Sequence, residues 1–170
     1  MSHSPQRPTH DLRIPSINPI GMLEQYAIDQ DWNTDRVDEF ELWTEFPTQW
    51  GTFRLWATFH ENSSFLQFNC YMNLKVPSRL LGRTAETLTL INERIWLGHF
   101  EIWGEESMPV LRMVIPLRNS RLEDEQLDDI MVSLFQDAER FYPALQWVIW
   151  GGKSPEDAVA TAILDTEGEA

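Results

Sequence analysis

His99 and Glu101 are the two side chains whose types and spacing best suit metal chemistry. They stand two residues apart in an alternating segment, so on a strand both would point to one face and could supply two ligands. A zinc or iron site needs at least a third ligand, and the other histidines, His3, His10 and His60, have no spacing that adds one. We therefore predict no metal site and interpret the pair as part of an exposed polar strand face.

No other residue pattern predicts catalysis or cofactor binding. Gly151-Gly152-Lys153-Ser154 lacks the first glycine of a phosphate-binding loop and a preceding buried strand, so we expect a turn between two helices. Cys70 lies at an inward strand position and is predicted to be a small core residue. No serine has the flanking glycines of a nucleophile elbow. We expect a protein that is not an enzyme and needs no cofactor.

Acidic residues dominate the charge of the chain. It contains 27 Asp and Glu residues against 13 Lys and Arg, a formal net charge of -14. A nucleic-acid partner is not expected, because a binder needs a basic stripe that displaces counterions from phosphates. An anionic membrane surface is disfavoured for the same reason. The densest acidic run, at positions 124, 125, 128 and 129, is interpreted as the solvated face of a helix. This charge favours basic or neutral partners.

Cysteine content and apolar runs indicate the compartment. Cys70 is the single cysteine, so no intramolecular disulfide can form. The amino-terminal MSHSPQRPTHDLR lacks the apolar core of a signal peptide. No apolar run approaches the roughly 18 to 20 residues that cross a bilayer. We predict a cytoplasmic protein that does not enter a membrane.

The chain is predicted to form one domain behind a short tail. Residues 1–16 are polar and proline-rich, so we expect a flexible amino-terminal tail, with the domain over 17–170. Asn18 followed by Pro19 predicts the start of a helix over 18–30, because an Asn side chain caps helices and Pro suits the first turn. Alternation from Phe40 to Leu74 then predicts three strands joined by short turns, an antiparallel meander.

Two strands and three helices follow. Pro77 opens a helix whose apolar spacing continues to Ile95, and Gly98 is placed for the positive φ that ends a helix. Strands are predicted at about 99–103 and 109–117, then a long amphipathic helix, and a short last helix that Ser154-Pro155-Glu156-Asp157 caps. The predicted order is α-β-β-β-α-β-β-α plus a carboxy-terminal helical extension. The predicted class is α+β, a five-stranded antiparallel sheet covered by helices, because connectors between strands are too short for parallel crossovers.

Several short motifs in this order resemble YbjN-type proteins over about residues 18–170. They are Asn92-Glu93, Gly98 with Phe100, Arg112, Glu139-Arg140-Phe141-Tyr142-Pro143-Ala144, and Ser154-Pro155-Glu156-Asp157-Ala158 with the ending Glu167-Gly168-Glu169-Ala170. The resemblance implies the fold of class I type III secretion chaperones, a bacterial cytoplasmic location and a role as a sensory transduction regulator. It implies no established activity. Secretion chaperones are typically homodimers that hold an extended segment of a partner.

Strand alternation places several large aromatic residues on the sheet face opposite the predicted helices. They are Trp43, Trp56, Tyr71 and Trp103. Such a group needs a cover, since soluble proteins rarely expose large apolar patches. Three covers are compatible with the sequence: the carboxy-terminal segment with Trp147 and Trp150, a second subunit, or a client peptide.

We therefore predict a non-catalytic protein-binding or regulatory module of YbjN type. Its candidate surface is the aromatic group Trp43, Trp56, Tyr71 and Trp103, with exposed edge strands also available for β-augmentation. The expected partner is another protein or a second copy of the chain in a homodimer. The alternative is an enzyme or ligand-binding protein with a site near His99, Glu101 and Arg112.

Overall fold

The structure is a computed structural model that describes residues 18–117 and 122–167. Its helices are α1 (Pro19–Asp29), α2 (Leu81–Asn92), α3 (Asp124–Ile149) and α4 (Pro155–Glu167), and a short 3-10 turn (Ser78–Leu80) leads into α2. Its strands are β1 (Asn33–Arg36), β2 (Glu41–Thr48), β3 (Gly51–His60), β4 (Phe65–Tyr71), β5 (His99–Trp103) and β6 (Met108–Pro116). The tail predicted over residues 1–16 lies outside the described residues.

The strands form one antiparallel sheet in the order β1-β2-β3-β4-β6-β5. The predicted α+β class and the antiparallel sheet are confirmed, but the prediction of five strands is wrong because the sheet has six. The additional strand is β1, which pairs with β2 from Asn33 opposite Glu45 to Arg36 opposite Leu42. Its sequence, NTDR, has no apolar residue, so hydrophobic alternation could not reveal it.

The helices pack on one face of the sheet, called here the inner face. Its largest fully buried side chains include Leu42, Leu55, Phe68 and Leu111, one from each of four successive strands. Cys70 is fully buried in the same layer, as predicted. Packing of α4 on α2 and α3 completes the helical layer. Each fully buried side chain of this size contributes about 1.5–3 kcal/mol, so this layer holds the fold together.

The second helix differs from its predicted limit, and the third contains a proline. The second helix ends at Asn92, not near Ile95, and it buries Thr84 and Thr87 while Ala85 is exposed. The third helix continues through Pro143 to Ile149. Proline removes one helical hydrogen bond. Pro143 and its neighbours are buried, and the free energy gained by burying these side chains exceeds the cost of the lost hydrogen bond.

The carboxy-terminal end of the fold agrees with the sequence predictions in most details. Gly152 has φ +68° in the turn between α3 and α4, and the Ser154 hydroxyl accepts a hydrogen bond of 3.1 Å from the Asp157 amide. The predicted turn and helix cap are confirmed. The last helix runs to Glu167, so it is longer than the short helix that was predicted. Among the described residues, no helix is long and apolar enough to span a bilayer.

The corner between α2 and β5 is fixed by an asparagine and a glycine. The Asn92 side chain accepts from the Phe100 amide at 2.7 Å and donates to the Phe100 carbonyl at 3.1 Å. It therefore pairs the outward main-chain groups of an edge strand as a neighbouring strand would. Gly98 has φ +77°, and a Cβ there would collide with the Arg112 carbonyl oxygen. This position requires glycine.

Candidate partner-binding face

The sheet face opposite the helices, called here the outer face, carries four aromatic rings in contact. Trp43 stacks on Trp56 with ring centroids 5.7 Å apart, and Tyr71 lies 5.6 Å from Trp43. Trp103 closes the group, at 5.4 Å from Tyr71 and 6.1 Å from Trp56, both edge to face. These residues are called here the aromatic cluster. The structure brings together all four residues that strand alternation selected.

Carboxylates orient two of the indole rings. The Trp56 indole N–H donates to Glu41 at 2.9 Å, and the Trp103 indole N–H donates to Glu101 at 2.9 Å. Because hydrogen bonds and neighbouring rings hold them, these side chains lose little rotamer entropy when a partner binds.

A cation already rests on one ring of the aromatic cluster. The Arg54 guanidinium lies 4.7 Å from the centroid of the Trp43 ring, and its Nε is 3.3 Å from a Glu45 carboxylate oxygen. A cation above an indole face is attracted by the negative face of the π system, and the carboxylate adds to that attraction. This corner of the outer face thus binds a guanidinium with an aromatic ring and a carboxylate.

The aromatic cluster covers the centre of the outer face by itself. Val110 and Asn69, both on this face, are fully buried, and Tyr71 is 7% exposed. The three tryptophans of the cluster remain partly exposed. The rings therefore shield the residues beneath them and still present their own surfaces.

The carboxy-terminal segment is not the cover of the outer face. Trp147 lies in α3 and packs against the core on the helical side, with the Lys153 ammonium 4.2 Å above its ring. Trp150 follows the end of α3 and is 62% exposed. Of the three covers that the sequence allowed, a second subunit and a client segment remain.

Two polar side chains beneath the aromatic cluster have unpaired atoms. Asn69 Nδ2 and Thr58 Oγ1 are buried without a hydrogen-bond partner among the described residues, although Asn69 Oδ1 accepts from Gln67 at 3.3 Å. An unpaired buried polar group costs about 1–3 kcal/mol. Thr84 Oγ1 in α2 and Arg140 Nε in α3 are unpaired in the same way, so this feature is common to both sides of the sheet.

The Tyr71 hydroxyl is buried, with the carboxylates of Glu106 and Glu101 raising its pKa and the guanidinium groups of Arg54 and Arg112 lowering it. Burial, followed by the Glu106 carboxylate, raises the pKa of Tyr71 to about 12. The phenol stays neutral at physiological pH and keeps its donor proton.

His99, Glu101 and Arg112 lie together at the edge of this face. His99 Nε2 is 3.4 Å and Arg112 Nη1 is 3.5 Å from oxygens of Glu101, and Arg112 Nη2 donates to Gln67 at 3.2 Å. The group forms a surface chain of polar contacts in which Arg112 and Glu101 are an ion pair, and the His99 side chain is 51% exposed. Within residues 18–117 and 122–167, no cluster of three or more His, Cys, Asp or Glu side chains is placed to hold a metal ion.

A shallow depression adjoins the Trp103 ring at the turn between β5 and β6. It has a volume of about 360 Å³ and is lined by Glu101, Ile102, Trp103, Gly104, Glu105 and Glu106. Its walls therefore combine one indole ring with three carboxylates.

One protein-family model matches most of the chain. The model of the YbjN family, described as "Putative bacterial sensory transduction regulator", matches residues 19–147. The chain belongs to the YbjN family. This confirms the family that the short motifs predicted, and the whole aromatic cluster lies inside the matched range.

The YbjN-family chain has no match among curated proteins. Among solved structures it is similar to a chain of the "Crystal Structure of the ExsC-ExsE Complex", at 13% identity and a TM-score of 0.47. The likeness covers 73% of this chain and 92% of that chain. A likeness of this degree leaves the secretion-chaperone-like fold a prediction.

Sequence reasoning missed two exposed apolar residues in this YbjN-family chain. Trp96 is 96% exposed and Leu97 is 41% exposed, in the connector between α2 and β5. The signal was an apolar pair just before Gly98, which fits neither the helical nor the strand period. The exposed Trp96 ring is a candidate contact point, but it lacks the neighbouring rings that the aromatic cluster has.

Proposed function

We propose that this YbjN-family protein is a non-catalytic module that binds a segment of a partner protein on the outer face of its sheet, in the bacterial cytoplasm. The aromatic cluster carries the proposal: Trp43, Trp56, Tyr71 and Trp103 form one contiguous, partly exposed group. Tryptophan and tyrosine are the residues most enriched among interface anchors.

The proposed mode of binding uses the face of the sheet and not the β5 edge. The Asn92 side chain already pairs both outward main-chain groups of Phe100 in the middle of that edge. An incoming strand would first have to displace it. A segment laid across the rings displaces no existing hydrogen bond and buries apolar surface at once.

The ion-paired group at the rim supports binding better than catalysis. Glu101 contacts His99, Arg112 and the Trp103 indole N–H, so its oxygens are engaged in holding the surface together. Active sites typically enclose the reacting groups and exclude water, whereas this group lies on an open surface.

Affinity capture with matched variants tests the proposed function. Wild-type protein, Trp56→Ser, Trp103→Ser and the control Trp150→Ser are each immobilised, and the proteins they retain from a lysate of the source bacterium are quantified. We expect each face variant to retain at least about tenfold less of a partner protein than the wild type does. This is the scale of loss that follows removal of a single anchor residue. The control, whose side chain is 62% exposed on the helical side, should retain it.

Cooperative thermal unfolding followed by far-ultraviolet circular dichroism shows whether each variant is folded, and light scattering across a dilution series measures its mass. Equal retention by folded face variants and wild type would contradict the proposal. A wild-type dimer that the face substitutions dissociate would identify the partner as a second copy of the chain.

A further inference from the structure

We infer that the segment bound on the outer face is cationic, and that one of its Arg or Lys side chains lies against the Trp103 ring beside Glu105 and Glu106. This inference rests on the proposed function, because it names the chemistry of the partner on the same face. A second copy of this acidic chain is thereby disfavoured as the occupant.

Two of the three carboxylates that line the depression beside Trp103 form no ion pair with another described residue. Glu101, on its wall, is already contacted by His99, Arg112 and the Trp103 indole N–H. Glu105 and Glu106, on the same wall, are exposed, and neither makes a hydrogen bond or an ion pair with another described residue. Two uncompensated negative charges therefore flank an exposed part of the Trp103 ring.

The opposite end of the aromatic cluster presents the same combination with its cation in place. There the Arg54 guanidinium lies 4.7 Å from the Trp43 centroid and 3.3 Å from Glu45. At the Trp103 end the Arg112 guanidinium is engaged with Glu101 and Gln67. Among the described residues no cation forms an ion pair with Glu105 or Glu106, so this end offers a ring and two carboxylates to a cation of a partner.

Charge complementarity supports the same occupant at longer range. The chain has a formal net charge of -14, and a field of that sign draws basic segments toward the surface. Near the aromatic cluster, the Glu106 and Glu101 carboxylates add to the burial that raises the pKa of Tyr71, and the Arg54 and Arg112 guanidinium groups act in the opposite direction.

Two synthetic peptides of one sequence test the inference. The first alternates Arg with Val, and the second has neutral citrulline at every Arg position, so shape is kept and charge is removed. Each is titrated into the full-length protein while the indole N–H resonances of Trp43, Trp56, Trp103, Trp96 and Trp150 are followed by NMR. We expect the arginine peptide to shift the resonances of the aromatic cluster, with those of Trp96 and Trp150 unchanged, and the citrulline peptide to bind at least about tenfold more weakly.

A matched pair of charge variants separates a local site from overall attraction. Glu105→Gln with Glu106→Gln removes two negative charges beside Trp103, and Glu125→Gln with Asp129→Asn removes two from the exposed side of α3. We expect the first pair to weaken binding of the arginine peptide about tenfold and the second by less than about twofold.

Each contrary outcome has its own meaning. Equal weakening by the two variants, or no shift of the cluster resonances by the arginine peptide, overturns the inference. Equal binding of both peptides on the cluster also overturns it, while the proposed function stands, because the face then binds a segment without regard to charge. If, in addition, captured proteins are retained by folded Trp56→Ser and Trp103→Ser, the proposed function fails as well.

Discussion

The two faces of one sheet in this protein are built from the same strands but from different chemistry. On the inner face, Leu55 and Phe68 have no polar side-chain group, and helices bury them completely. On the outer face, Trp56 and Trp103 each present an indole N–H to a carboxylate and stay partly exposed. Polar handles allow large rings to remain at a surface in fixed orientations, so the outer face can be stable alone and still offer area to a partner.

The largest difference between the faces should be in stability. Phe68→Ala removes a fully buried ring from the central strand β4, and we expect it to lower the free energy of unfolding by about 3–5 kcal/mol. Phe65→Ala, in the same strand but 38% exposed, is the matched control and should cost less than about 1.5 kcal/mol. Urea unfolding followed by far-ultraviolet circular dichroism measures both. Similar losses for the two variants would remove the distinction between a packed core and a surface.

The asparagine that pairs the β5 edge should have the next largest effect. Asn92→Ala removes two hydrogen bonds to Phe100 and leaves its main-chain groups without that partner, so we expect a loss of about 1–3 kcal/mol. The opened edge should also promote strand pairing between copies. Light scattering should detect more dimer or aggregate in Asn92→Ala than in the wild type. An unchanged mass together with unchanged stability would contradict the role given to Asn92.

Much of this fold could be predicted because hydrophobic alternation reports directly on buried faces. The two-residue alternation along the strands was enough to assign Cys70 to the inner face and the four aromatic residues to the outer face. Strand β1 was not found, because the polar sequence NTDR pairs through its main chain without burying apolar side chains. The long amphipathic helix was predicted without an end, and it continues through Pro143 because tertiary packing buries the proline and its neighbours.

The candidate site was predicted only in part, for a different reason. Strand alternation shows that Trp43 and Trp103 share a face of the sheet. It cannot show that their rings contact Trp56 and Tyr71, which lie on two other strands. It also cannot reveal the unpaired Asn69 Nδ2. Those properties depend on strand order, and the order β4-β6-β5 is not readable from spacing.

Alkaline pH should remove the contribution of Tyr71 to the outer face. In the folded protein the pKa of Tyr71 is raised to about 12, above its ordinary value of 10.0. The folded state therefore holds the phenol proton more tightly than the unfolded state does. The stabilising contribution of Tyr71 is complete below pH 10 and is lost as the pH rises through 12. The chain has three tyrosines, so difference titration at about 295 nm between wild type and Tyr71→Phe isolates this group. A Tyr71 transition near pH 10 would contradict its burial.

The smallest effect concerns the unpaired amide of Asn69. Asn69→Leu removes a buried donor without a partner and also the acceptor for Gln67, so the two contributions nearly offset each other. We expect the free energy of unfolding to stay the same or to rise by up to about 1 kcal/mol. Thermal unfolding compares the variant with the wild type. A loss above about 2 kcal/mol would mean that this amide has a partner in the folded protein.

Hydroxyl-radical footprinting of the native protein, alone and bound to its captured partner, tests the central claim most directly because it needs no substitution. Oxidation of each tryptophan is quantified by mass spectrometry. The outer-face account predicts that the partner protects Trp43, Trp56 and Trp103, while Trp150, which is 62% exposed on the helical side, is oxidised as before. Protection confined to Trp150 or Trp96, with the aromatic cluster unchanged, would contradict it.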